Sequence, residues 1–314
     1  MICFVAIFMQ IPLLSICIPC FGRVEYVRNT LNSLYQDNAD IGLDKYEVVI
    51  SDNDPKQAIS VLANEFRTYP NLRYFYTECE GFMNSYHVLT YARGEFLKLH
   101  NSQTLFRKGA LRTILGEVEK HKDKRSLIFY TNGLLGQFRS TEYDTFESFM
   151  YALSYWSSWS NGFNIWRKDF EQIGDVKLNR LFPHTSLFLT QHCSEEYCIN
   201  DQLLFDVQRI PKRGGHNKFE AFTIEYPSLI DRCRKEGFIS EKCEKRILHD
   251  VMTEFLPSLF FNKYIARIET FDATNIRQNI KRYFPQYAYG VVMFLSIFQP
   301  LKLVIRKINN AIHK

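Results

Sequence analysis

The chain has 314 residues, 46% of them apolar and 23% charged. This composition excludes a disordered, collagenous or low-complexity protein and suits one large domain, or one domain with an appendage. The net charge of +5 is concentrated at the end: Lys281, Arg282, Lys302, Arg306, Lys307 and Lys314 contribute +6 with no acid between them, leaving residues 1–280 near −1 (5 − 6). A near-neutral body excludes general nucleic-acid binding, and a basic tail points to a localised electrostatic contact.

In chain order, Met1–Gln10 is apolar but lacks a basic leading region, a cleavage site and the length to span a bilayer. Met9 reads as a natural start, so residues 1–8 are expected to be a start-site artefact. Short apolar runs at 14–19, 46–51, 72–76, 95–99 and 126–131 are predicted strands. Between the first two, Val24, Val27, Leu31, Leu34 and Tyr35 recur at helical spacing, as do Ala58, Val61, Leu62, Glu65 and Phe66 in the next interval. Such alternation predicts a mostly parallel α/β sheet with right-handed crossovers and helices on both faces. The aromatic, Ser-rich stretch Tyr151–Gly162 reads as a binding loop, and 241–268 turns helical, with Cys243, Ile247, Leu248, Val251 and Phe255 on one stripe. Eight cysteines without a compact framework are expected to be reduced thiols. Zinc held by Cys17, Cys20, Cys193, Cys198 and His192 is the weaker reading.

Polar groups gather where the first two strands end: Leu14-Ser15-Ile16-Cys17-Ile18-Pro19-Cys20-Phe21-Gly22-Arg23, then Val48-Val49-Ile50-Ser51-Asp52-Asn53. Open α/β sheets bind ligands at such carboxyl ends. The first run resembles the Ser-Ile-x-Ile-Pro-Thr-Tyr-Asn-Arg-like strand of the family 2 glycosyltransferases, with Cys20, Phe21 and Gly22 at its Thr, Tyr and Asn positions. Gly81-Phe82-Met83-Asn84 and Ala92-Arg93-Gly94-Glu95-Phe96 resemble the family's later Gly-x-x-x-Asn and Ala-x-Gly-Glu-Tyr segments. The resemblance covers roughly residues 13–190. It implies a GT-A fold, Rossmann-like with a helical C-terminal extension, and a nucleotide-sugar donor held by Pro19, Phe21, Asp52 and Asn84. Phe21 would supply a ring face and Asp52 an acceptor for the nucleobase N–H. The corresponding domains are 9–235 for the GT-A unit, 236–280 for a helical extension and 281–314 for a basic amphipathic segment.

The family's next strand normally ends in acids that hold Mg²⁺ or Mn²⁺ against the diphosphate. Here the run is Lys98-Leu99-His100-Asn101-Ser102-Gln103-Thr104, without a carboxylate. Hard cations prefer anionic oxygens, so no tightly bound metal is expected, and any Mg²⁺ or Mn²⁺ would be weakly held. His100, Asn101 and Ser102 mark the degenerate diphosphate region. His100, Lys98, Arg107 or Lys108 would then donate to the diphosphate.

An inverting transfer also needs a base for the acceptor hydroxyl. Asn179-Arg180-Leu181-Phe182-Pro183-His184 and Ser160-Asn161-Gly162-Phe163-Asn164-Ile165-Trp166-Arg167 resemble the abequosyltransferase-like branch, which puts His184 in the first turn of a helix as candidate base. Glu195, Glu196 and Asp201 are substitutes for it. Trp156 and Trp159 are candidates for stacking on the acceptor.

At the end of the chain, Tyr287–Phe298 is apolar all round, Pro300 interrupts it, and Leu301, Val304, Ile305, Ile308 and Ile312 share a helical face with basic residues elsewhere on the circumference. Such a helix suits an anionic membrane interface. The expected function is transfer of a sugar to a growing, lipid-linked cell-surface glycan, by a protein peripheral on the cytoplasmic membrane face. The rival from another class is an inactive GT-A partner that binds nucleotide or glycan and scaffolds a working transferase. It is favoured by the missing carboxylates and disfavoured by the preserved register of Asp52 and Asn84.

Overall fold

β1 (Leu14–Cys20) and β2 (Tyr46–Asp52) are buried along almost their whole lengths. Parallel strands covered on both faces have to read as such continuous apolar runs. The structure, a computed structural model, describes residues 11–210, 215–302 and 304. The expected start-site artefact (residues 1–8) and the last turns of the basic tail lie outside these.

With β3 (Leu72–Tyr76), β4 (Phe96–Leu99) and β8 (Asn164–Trp166), the first two strands form a sheet ordered β3-β2-β1-β4-β8. All neighbours are parallel except β8, which runs antiparallel to β4. Two smaller sheets complete the α/β body. β5 (Thr104–Phe106) pairs with β10 (Phe205–Val207), and β6 (Leu127–Tyr130), β9 (Tyr197–Asn200) and β7 (Ser140–Tyr143) are ordered β6-β9-β7.

Side-chain alternation along the strands divides the core in two. Leu14, Ile16, Ile18, Val48 and Ile50 pack with α1 (Val24–Tyr35), α2 (Ser60–Glu65) and α4 (Ala110–His121). Cys17, Val49, Leu97 and Leu99 face the other way, toward α3 (Asn84–Tyr91), α5 (Phe146–Leu153) and α6 (Pro183–Leu189). The C-terminal helices share this second core through Ile230, Cys243, Ile247, Val251, Leu256 and Val292. The predicted helix at 241–268 runs from Glu241 to Ile265 through two π turns, and the first of these precedes Pro257. Proline removes a backbone donor, and a wider turn is the usual local response.

Two local features set up the ligand end of the main sheet. Pairing of β1 with β4 stops at Cys17–Leu99, whereas pairing with β2 continues to Cys20–Asp52. Pro19 therefore occupies the stretch where β1 has left β4, and a missing N–H is tolerated there. Gly94, just before β4, is the second: a Cβ there would lie 2.8 Å from the Ser15 backbone nitrogen. Its N–H donates to Ser15 Oγ at 2.8 Å, and Ser15 Oγ donates to the buried Glu47 carboxylate at 2.6 Å.

Candidate active site

The strand order reverses between β1 and β4, so a crevice opens at their carboxyl ends, where ligands bind in open α/β sheets. Phe21 stands at its rim, 64% exposed, and Tyr76 at the end of β3 is 40% exposed. Gly22 and Arg23 both take positive φ (58° and 59°), which turns the chain sharply from β1 into α1.

Asp52 and Asn84 form the floor of the crevice and are both buried. Asp52 accepts from the Asp54 N–H at 3.0 Å and from the Tyr74 hydroxyl at 3.3 Å. Burial pushes its carboxyl above the ordinary range, partly offset by those hydrogen bonds. Burial, and then the Asp52 charge, push Tyr74 up to about 12. Asn84 donates to the carbonyls of Ser51 (2.8 Å) and Cys20 (3.2 Å) and to Asn53 Oδ1 (3.1 Å), while its own oxygen accepts from Ser51 Oγ at 2.6 Å. Its amide thus ties the ends of β1 and β2 together.

At the end of β4 the expectation for two cations is corrected. Lys98 is fully buried, donating to the carbonyls of Asn161 (2.8 Å) and Leu99 (3.2 Å), with its ammonium 4.9 Å from the Phe205 ring centre. Burial lowers its pKa to about 7. His100 is also fully buried and stacked on Phe106. Burial, followed by the Lys98 charge, lowers it to about 3, and its Nε2–H is given to the Thr104 carbonyl at 2.7 Å. Neither side chain reaches a diphosphate, because the sheet is covered on both faces. Arg107 is engaged in a two-point pair with Asp206 (2.7 and 3.1 Å), and Lys108 is exposed.

Among the described residues, a cation that does reach past the strand end is Arg23, whose guanidinium donates to Gln103 Oε1 at 3.2 Å. Asn101 is held by the 160–161 turn: its Oδ1 accepts from Ser160 Oγ at 2.8 Å and its N–H donates to Asn161 Oδ1 at 2.7 Å. The carbonyl of Ser102 accepts from Thr30 Oγ1 at 3.0 Å. The oxygens of Asn101 and Gln103 are thus committed to donors and carry no charge. These neutral oxygens lack the carboxylate charge that Mg²⁺ and Mn²⁺ prefer in a protein site. The sequence reading included Gln103 in the strand end that stands in for the metal but gave Arg23 and Ser160 no role. The signal for Arg23 was its place as the last residue of the strand-one motif.

Ser160 also lines a cavity of about 370 Å³ bounded by Phe82, Trp159, Phe182, His184, Phe222 and Phe255 among others. The α/β body and the C-terminal helices both contribute to it. His184 lies in its wall, with Nε2–H donated to the Ser158 carbonyl at 2.9 Å and with Nδ1 buried and without a hydrogen bond. Burial lowers His184 to about 4, so the ring is neutral and Nδ1 carries the lone pair. Trp159 lines this cavity and Trp156 does not; both rings are half-buried. The substitute bases are corrected. Asp201 is consumed by Thr131 Oγ1 and three backbone N–H groups, Glu196 pairs with Lys124, and Glu195 lines a different, larger cavity of about 520 Å³ that includes none of the strand-end residues.

The model of the family "Glycosyl transferase family 2" matches residues 15–180, more than half of the chain and all of the crevice. The chain belongs to glycosyl transferase family 2. Among solved structures it is similar to S. aureus TarS 1–349 in complex with UDP-GlcNAc, with 18% identity and a TM-score of 0.56 over 94% of this chain and 87% of that one. It is also similar to the mannosyltransferase PcManGT from Pyrobaculum calidifontis in complex with GDP-Man and Mn²⁺, with 15% identity and a TM-score of 0.55 over 96% and 83%. Against the longer S. aureus TarS structure the identity is 16% and the TM-score 0.53, and the chain spans about half (53%) of its length. These likenesses establish the GT-A fold. A search of curated proteins finds no match.

Proposed function

We propose that this protein is a glycosyltransferase that moves a hexosyl or deoxyhexosyl group from a nucleotide-sugar to a glycan acceptor, using a side-chain cation in place of a metal at the diphosphate. The observation that carries this reading is the Arg23–Gln103 contact at the end of β4. A guanidinium there neutralises the leaving diphosphate through bidentate hydrogen bonds. The nucleobase stacks on Phe21. Its edge is read at Asp52, which exchanges one of its present donors, the Asp54 N–H or the Tyr74 hydroxyl, for the base N–H. The UDP-GlcNAc and GDP-Man complexes of TarS 1–349 and PcManGT support a nucleotide-sugar as the donor class.

The acceptor enters the aromatic cavity beside Ser160, where Trp159 offers a stacking face. His184 Nδ1 takes the proton of the attacking hydroxyl, and inversion at the anomeric carbon follows from attack opposite the leaving group. A lipid-linked acceptor at the cytoplasmic membrane face agrees with the last described helical turns. Phe294, Ile297, Phe298, Leu301 and Val304 are exposed at helical spacing, with Lys302 beside them. No described helix is long and apolar enough to cross a membrane.

The test is donor turnover and binding across UDP-, GDP-, CDP- and dTDP-sugars, each with a detergent extract of lipid-linked glycans. Turnover of one donor, with product on the lipid fraction, supports the reading. Tight binding of a nucleotide-sugar without turnover under any acceptor condition favours the inactive-partner reading, which the uncharged end of β4 also fits.

A further inference from the structure

Away from the crevice, three side chains with metal-ligating chemistry converge between α4 and the β6-β9-β7 sheet. Glu117 and His121 are four residues apart on α4 and so share a face. Cys198 meets them from β9. Glu117 Oε1 lies 3.3 Å from His121 Nε2 and 3.4 Å from Cys198 Sγ, and the three atoms all lie within 4.8 Å of one another. Zinc bound tetrahedrally to oxygen, nitrogen and sulfur has ligand–ligand edges of roughly 3.3–3.6 Å, from bond lengths of about 2.0–2.3 Å. Two edges are therefore already close to those of a bound ion.

The buried, unpartnered Nε2 of His121 is the second, independent observation. The ring's Nδ1 lies 3.0 Å from Ser126 Oγ, and that hydroxyl gives its proton to Glu196 Oε2 at 3.1 Å. Nε2 is buried, makes no hydrogen bond, and faces a carboxylate oxygen. A buried imidazole nitrogen without a hydrogen bond, aimed at a carboxylate oxygen with a thiol alongside, is a ligand set that a cation would complete. The other oxygen of Glu117 is held by Ser140 Oγ (3.0 Å) and Asn200 Nδ2 (3.3 Å), the kind of outer support that orients metal ligands.

We propose that Glu117, His121 and Cys198 bind a Zn²⁺ ion, with water as the fourth ligand. The mixed sulfur, nitrogen and oxygen set suits zinc over magnesium or calcium. Binding converts the Cys198 thiol to thiolate and releases its proton to solvent. The ion fastens the last turns of α4 to β9. It is a structural site, independent of donor binding.

The full chain, stripped with a chelator and dialysed against ZnCl₂ or CoCl₂, tests this by metal analysis and absorption. Wild type and Cys193→Ser, which removes an exposed thiol, are expected to hold about one zinc ion per chain and to gain thermal stability from it. Cys198→Ser and His121→Gln are expected to lose the ion, and the cobalt form of the wild type to show a thiolate charge-transfer band. No zinc in the wild type, a cobalt form without that band, or wild-type stoichiometry in Cys198→Ser would each overturn the site. The cobalt spectrum reads the wild-type thiolate directly and keeps the test valid if a variant fails to fold.

Discussion

Replacing Asp52 by Asn separates a nucleotide-reading carboxylate from a turn-forming one. Asn keeps the shape and an oxygen for the Asp54 N–H, 3.0 Å away in the wild type. The position facing Tyr74, however, becomes an amide donor. If Asp52 accepts the base N–H, the variant loses a charge-assisted hydrogen bond worth about 1.5–3 kcal/mol, which is roughly a 10- to 100-fold increase in nucleotide Kd. Stability moves the other way. Burial holds the Asp52 carboxyl above the ordinary range, so the folded state binds its proton more tightly than the unfolded chain. The ionised form is thus a cost to folding at neutral pH. The Asn variant should be at least as stable as wild type at pH 7, with any advantage vanishing as pH falls below the unfolded carboxylate value of about 3.9. Calorimetric titration with the cognate nucleotide, beside a thermal melt, reads both quantities. An unchanged Kd in a folded D52N protein would show that Asp52 only builds the turn, and would remove it from the donor site.

Lys98→Met should raise stability at pH 7 by on the order of 1–3 kcal/mol, less than the gross cost of burying the cation because the Asn161 and Leu99 carbonyls lose a donor. The wild-type pKa is about 7 folded against about 10.5 ordinarily, so wild-type stability should climb with pH between those values and be flat with respect to this group below 7. Urea titrations at pH 6, 8 and 9.5 that gave parallel curves for K98M and wild type would contradict this. His184→Gln should lower kcat by about 10²–10⁴-fold with little change in donor Kd. The acid limb of the wild-type kcat/KM profile should fall near pH 4, and a limb at pH 6.5 would refute the buried, neutral ring. Replacing Phe294, Ile297 and Leu301 together by Asn should reduce sedimentation with anionic vesicles without lowering the melting temperature, since all three are exposed. Equal sedimentation of variant and wild type would remove this face from the membrane contact.

The parallel strands were legible to within a residue or two because each is an apolar run closed by turn formers. The helix expected at 58–66 contracts to Ser60–Glu65 for want of caps, with Ala58 and Ile59 in the preceding turn. The antiparallel pairings of β8 with β4 and of β10 with β5 were not legible. Each involves three residues and a partner roughly 70–100 positions away, and no local period encodes that. Lys98 and His100 show the limit of strand parity. Alternation tells which face a side chain takes, but here the C-terminal helices cover one face and α1, α2 and α4 the other, so neither is exposed. The Glu117–His121 spacing stood in the sequence, whereas its meaning depends on Cys198, brought in by β9. The reading of Cys17, Cys20, Cys193 and Cys198 around His192 is corrected. Cys17 and Cys20 point into opposite cores, and His192 stacks on Phe238.

The central claim is that a guanidinium serves the donor diphosphate where the similar PcManGT structure holds Mn²⁺, and donor turnover in excess EDTA tests it most directly. With the cognate nucleotide-sugar, wild type should turn over equally in EDTA, Mg²⁺ and Mn²⁺, and Arg23→Ala should lose about 10²–10³-fold in kcat, the usual scale for removing one electrostatic donor from a transition state. Turnover abolished by EDTA and restored by Mn²⁺, with Arg23→Ala unaffected, would contradict the account.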